Sequence, residues 1–126
     1  MRRLRICEEK GSGIDKVIDS VEAFQLPAPD FRVTDMHTVI VLFAHKPFEE
    51  MDRNDKVRAC YQHCCLKYVM NEKMTNQSLR ERFKLSGVKA DLVSRIIRET
   101  IGAGQIKPDD PDNASKRYIK YVPFWA

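Results

Sequence analysis

No stretch of 18 consecutive apolar residues occurs in this chain, so it offers no candidate for a membrane-crossing helix. The start, MRRLRICEEKG, is basic but has no apolar segment behind it, so it lacks the make-up of a secretory signal. The paired CxxC or HxxxH elements of a closed zinc site are missing, although the chain has 4 cysteines. With no extracellular context those cysteines read as reduced thiols rather than a disulfide framework, which points to the cytoplasm. No apolar strand precedes Gly11-Ser12-Gly13, so this glycine pair reads as a flexible joint as readily as a cradle for phosphate. The net charge of +4 is modest. A length of 126 residues allows one domain, or one domain with a sizeable appendage.

What is present centres on residues 75–104, TNQSLRERFKLSGVKADLVSRIIRETIGAG. Thr75 or Asn76 can cap a short helix, because a small side-chain oxygen accepts from the free amides of a first turn. Leu79 and Phe83, four apart, give that helix one apolar side. Leu85-Ser86-Gly87 breaks the period, with Gly87 free to take positive φ. A second helix is predicted from about Lys89 to Ala103, ending at Gly104. Leu92, Val93, Ile96, Ile97 and Ile101 recur at helical spacing and face a core. Lys89, Ser94, Arg95 and Arg98 lie elsewhere on the cylinder. This is the helix-turn-helix plan, in which the second helix enters the major groove of duplex DNA. A helical hairpin with solvated arginines shares the pattern. Charge leans the same way: residues 76–107 carry 7 basic and 3 acidic side chains, whereas residues 1–51 carry 7 and 9.

The remainder places this pair in a larger unit. Ile14, Val17, Ile18, Val21 and Phe24 give an early helix one apolar side, ended by Leu26-Pro27-Ala28-Pro29. Phe31 and Val33, then Thr38 to Phe43, predict a β-hairpin turning near Asp35-Met36-His37. The second strand is apolar on both faces and one helix covers only one of them, so pairing between two chains through the 31–43 hairpin is expected. Lys46-Pro47-Phe48 is a linker. Asp52 can cap a helix over about 53–71, with Val57, Tyr61, Cys64, Cys65 and Tyr68 as its buried stripe. Gln105-Ile106-Lys107 and residues 117–122 read as strands around a polar loop. Helix, helix, helix, strand, loop, strand is the order of a winged helix, with Lys116 and Arg117 at the base of the wing.

Other constellations are weaker. Cys60, His63, Cys64 and Cys65 lie on one helix and could offer two or three metal ligands, but buried cysteines packing a helix explain the spacing as well. A Cys/His nucleophile pair there lacks an orienting third group and an oxyanion site. Asp109, Asp110 and Asp112 lack the other ligands of a calcium loop and read as a solvated turn. Tyr118, Tyr121, Phe124 and Trp125 suit the closing of a small core better than base stacking.

RACYQHCCLKYV (58–69), MTNQSLRERF (74–83), SRIIRET (94–100) and the terminal YVPFWA resemble the C-terminal part of bacterial RecG-like or ATP-binding transcriptional regulators. Those proteins carry a Schlafen-type AlbA domain at the N-terminus. EEKGSGIDKVI (8–18) and LPAPDF (26–31) resemble the end of the family's GHKL-like ATPase module. The resemblance implies a fragment, with residues 1–46 a remnant of that module and residues 52–126 a winged-helix domain. It places Gly11, Gly13 and Ile14 in one nucleotide-binding motif whose companion segments lie upstream.

The combined expectation is an α+β fold: a winged helix-turn-helix preceded by a helix and a β-hairpin. The expected function is non-enzymatic binding of duplex DNA, with no cofactor, metal or catalytic residue. Lys89, Ser94, Arg95 and Arg98 face the groove; Arg80, Arg82, Lys84, Lys116 and Arg117 meet phosphates. The alternative is a protein-interaction or dimerisation module without DNA contact.

Overall fold

The computed structural model describes residues 12–112 and 118–126. It is α+β. Among the described residues the order is α1 (Ser12–Ala23), β1 (Asp30–Val33), β2 (Thr38–Val41), α2 (Arg53–Val69), α3 (Asn76–Arg82), α4 (Ala90–Gly102), β3 (Ile106–Pro108) and β4 (Tyr121–Pro123). Two antiparallel ribbons result, β1 with β2 and β3 with β4. In the first, Phe31 lies opposite Ile40 and Val33 opposite Thr38. In the second, Lys107 lies opposite Val122, and Met74 extends the pairing by a bridge to Tyr121.

The two best-defined helix starts are capping boxes. Asp52 accepts from the Asp55 amide while the Asp55 carboxylate accepts from the Asp52 amide. Thr75 and Ser78 repeat the exchange at α3. Each cap satisfies amides the helix leaves free and is worth about 1 kcal/mol.

The four α-helices among the described residues end alike. The residue past the cap takes positive φ, and two backbone bonds close the last turn. For α3, the Lys84 amide donates to the Glu81 carbonyl and Leu85 to Arg80. The positive-φ residues are Gln25 (58°), Asn71 (62°), Lys84 (54°) and Gly104 (75°). The expected positive φ at Gly87 is therefore corrected: Lys84 makes the break, and Gly87 opens a short 3₁₀ turn, Gly87–Lys89.

Helix α2 is the floor on which the rest lies. It meets α1, α3, α4 and β4, so several of its sides are covered. Its buried residues are Asp55, Ala59, Cys60, His63, Cys64 and Leu66. The expected stripe holds only at Cys64; Val57, Tyr61 and Cys65 are half-buried and Tyr68 is exposed. Ala59, Cys60, Cys64, Met74, Leu79, Phe83, Val93, Ile96, Ile97 and Ile106 form the main core with Ala28 and Met51. Thr100 joins it by donating its hydroxyl to the Ile96 carbonyl at 2.8 Å. Strand β4 starts later than expected and includes Pro123, whose ring needs no amide bond at the ribbon edge.

The N-terminal segment is bound to this floor by long-range polar contacts. Arg58 Nε donates to the Ala28 carbonyl at 3.0 Å, and Gln62 Nε2 to the Pro29 carbonyl at 2.6 Å. Helix α1 buries Ile18 and Val21, while Ile14, Val17 and Phe24 stay exposed. Its expected apolar side is only half covered. Among the described residues, no helix is long and apolar enough to cross a membrane.

Candidate functional site

The outer face of α4 is set by its inner one. Val93, Ile96, Ile97 and Thr100 are buried, and at 100° per residue Asp91, Arg95, Arg98 and Gly102 must then point away from the core. Arg95 and Arg98 are exposed, as is Lys89 at the helix start. Arg53, the first residue of α2, joins Arg95 and Arg98 around a shallow hollow of about 430 Å³ shared with Glu99. Arg53 Nε lies 3.3 Å from the Glu99 carboxylate. The sequence reading did not name Arg53, because nothing in its spacing links the start of α2 to the middle of α4.

A second cleft, about 500 Å³, opens on the Ser94 side of α4, between α3 and the chain entering β4. Asn76, Arg80, Ser94, Tyr118 and Lys120 line it. Asn76 ties the corner together: its amide nitrogen donates to the Ala90 carbonyl at 3.1 Å and to Ser94 Oγ at 2.9 Å, while its oxygen accepts from Arg80 Nε at 2.8 Å. Ser94 and Arg80 are thus partly engaged in holding the two helices in register.

Arg82 requires a correction. It is 5% exposed, so no phosphate reaches it as the chain stands. Its Nη2 donates to the Leu26 carbonyl at 2.8 Å, and its Nε lies 3.5 Å from Glu22 of α1. Burial pulls its guanidinium below the ordinary arginine value, and the Glu22 carboxylate opposes that shift. Two residues beyond, Lys84 is exposed but stands apart from α4, in a cleft with His45, Lys46 and Phe48. Lys116, Arg117, Gly11 and Cys7 lie outside the described residues. Gly13 and Ile14 are in α1 and exposed.

Beneath this surface lies a buried polar cluster that the sequence reading missed. His63 Nδ1 meets both Glu22 carboxylate oxygens at 2.9 and 3.0 Å, and its Nε2 meets Ser78 Oγ at 3.1 Å. A carboxylate only accepts, so Nδ1 donates to it. On paper this is the serine, imidazole and carboxylate of a nucleophilic triad. The surroundings refuse the role. His63 is 3% exposed. The Ser78 hydroxyl also donates to the Thr75 carbonyl, and the Ser78 amide donates back to Thr75 Oγ1. The Leu79 amide goes to the Thr75 carbonyl. With these donors engaged at the helix start, the amides beside Ser78 are not free to hold an oxyanion. The cluster joins α1, α2 and α3.

The cysteines sit in the core. Burial pushes the Cys60 thiol up to about 12, against a weaker lowering by a hydrogen bond with Thr100. Cys64 is raised too, by burial and then by Cys60 and Cys65. Thiols so disfavoured as thiolates are poor nucleophiles and ligands. Among the described residues, no group of three His, Cys, Asp or Glu side chains could hold a metal ion. Asp109 pairs with Lys73 at 2.8 Å. Trp125 Nε1 donates to the Tyr61 hydroxyl at 3.2 Å, and its ring meets Tyr68 edge-on.

Set against known proteins, residues 1–42 match the family described as "Putative ATP-dependent DNA helicase recG C-terminal". That stretch carries α1, β1 and β2, and it is a third of the 126-residue chain. The RecG-like part of the resemblance thus rests on the segment packed against α2, and α2 to α4 lie beyond it. No curated protein and no solved structure matches the chain.

Proposed function

We propose that this chain is a non-enzymatic DNA-binding module of a bacterial RecG-like regulator, with residues 52–126 acting as a winged helix-turn-helix. Helix α4 lies in the major groove of duplex DNA. The observation that carries the reading is the arginine face of α4: Arg95 and Arg98 stand exposed, opposite a fully buried face, with Arg53 beside them. The order α2, α3, α4, β3, β4 agrees with it. So does the family description of residues 1–42, which names a DNA helicase.

Arg95 and Arg98 offer planar forks suited to guanine edges. Arg53 beside them, Lys89 at the start of the helix, and Arg80 and Lys120 in the second cleft serve phosphates, which supply affinity without sequence choice. Titration of a fluorescent random duplex, followed by anisotropy at rising salt, tests this. The expected affinity falls steeply with salt; no binding at 20 mM salt rejects the reading.

A rival reading is an interaction module that touches no DNA. Asp91 and Glu99 on the same helix favour it, because both are carboxylates set beside the arginines, and Glu99 already pairs with Arg53. Under that reading the duplex stays unbound at every salt concentration.

A further inference from the structure

Tyr118 does not help to close the core. It is 66% exposed, whereas Tyr121 packs against the buried cluster. Both rings line the cleft of about 500 Å³ between α3 and the chain entering β4. That volume falls within the roughly 300–1,000 Å³ of small-ligand sites.

Three features of the cleft decide what fits it. The first is charge. Arg80 and Lys120 line it, and no carboxylate does so among the described residues. Arg80 spends its Nε on Asn76, and a guanidinium has further N–H groups to give. The second feature is ring surface, supplied by Tyr118 at an exposed position. The third is rigidity. On one wall Asn76 fixes α3 to α4 through Ala90 and Ser94. On the other, Met74 and Tyr121 exchange amide bonds at 3.3 and 2.8 Å, and the Asp109 amide donates to the Lys120 carbonyl at 2.8 Å.

Cations for a phosphate, an aromatic ring for a base and braced walls are the parts of a site for an unpaired nucleotide. Resting on the DNA reading above, we propose that the cleft receives one unpaired nucleotide of a DNA strand. Its base stacks on Tyr118, and its phosphate meets Arg80 and Lys120. A base within a duplex is covered on both faces by its neighbours and shows only its edges, so it cannot use the ring. The preferred partner is therefore a duplex with a single-stranded end. Helix α4 takes the paired part, and the cleft beside it takes the first unpaired base.

Anisotropy at 20 mM salt tests this with the full chain, a blunt duplex and the same duplex carrying a single-stranded end of about three nucleotides. The wild type is expected to bind the second roughly fivefold or more tightly. The ratio should persist in Tyr118→Phe, which keeps the ring, and fall to about one in Tyr118→Ala. With 2-aminopurine as the first unpaired base, binding should quench its fluorescence in the wild type and not in Tyr118→Ala. A free nucleotide is the other source of the same chemistry. Added deoxyadenosine monophosphate should leave the ratio unchanged, because it lacks the duplex contacts. Equal affinity for the two DNAs, a preference that survives in Tyr118→Ala, or its loss to the free nucleotide overturns the inference and leaves duplex binding standing. Binding of neither DNA removes both.

Discussion

Glu22 on α1 and His63 on α2 are 41 residues apart in sequence and 2.9 Å apart in space. The same carboxylate lies 3.5 Å from Arg82 on α3. One acidic group therefore compensates two buried bases and joins three helices. Removing it leaves Arg82 buried and unpaired, which costs more than the pair contributes. Glu22→Gln is expected to lower the stability to urea by about 3 kcal/mol. Arg82→Met should cost less, and the double variant less than the sum, since the residues share one network. Additive losses in urea titrations would show that the two act independently.

Asp55 makes the fold sensitive to acid. Burial alone would raise its carboxyl, but hydrogen bonds from Lys46, Arg58 and the Asp52 amide outweigh that and hold it below its ordinary value of 3.8. A carboxyl depressed on folding contributes stability that is complete above the ordinary value and is lost as pH falls through the folded one. The urea midpoint should drop between pH 5 and pH 2.5, and the drop should shrink in Asp55→Asn. An equal drop in both proteins would assign the acid sensitivity elsewhere.

Thiol chemistry reports on the core. With its thiol at about 12 against an ordinary 9.0, Cys60 carries roughly a thousandfold less thiolate at pH 8 than a free cysteine. In a Cys7→Ser/Cys65→Ser background, Cys60 and Cys64 should react with a disulfide reagent only as fast as the chain opens, and rapidly in 6 M guanidinium. Prompt native labelling of Cys60 would contradict the packing of α2 against α4.

Helix starts at Asp52 and Thr75 were legible in the sequence, as was the end of α4 at Gly104, but the other helix ends were not. Asp52 and Thr75 are small acceptors just before a helical period, and both cap as expected. Three of the four ends use Gln25, Asn71 or Lys84 at positive φ, where only glycine announces itself. Lys84→Gly should relieve that strain and raise the melting temperature by a few degrees, by about 0.5–1 kcal/mol; an unchanged transition would mean the strain is small.

Burial by several partners explains the other misses. The α4 face was readable because its inner side meets one continuous core. The α2 stripe was not, because helices and a strand cover α2 on different sides. Arg82 looked like a surface arginine because its partners, Glu22 and Leu26, lie 60 and 56 residues away. Arg53 joined Arg95 and Arg98 only through the crossing of α2 and α4. No local period encodes either arrangement.

The central claim is that the exposed arginines of α4 meet DNA, and one comparison tests it most directly. Duplex affinity of the wild type and of Arg95→Ala/Arg98→Ala is measured by anisotropy between 20 and 200 mM salt, with circular dichroism confirming that both are folded. The double variant is expected to lose at least tenfold in affinity, with a salt dependence shallower by roughly two counterions. A folded double variant that binds duplex as tightly as the wild type, with the same salt slope, would contradict the claim.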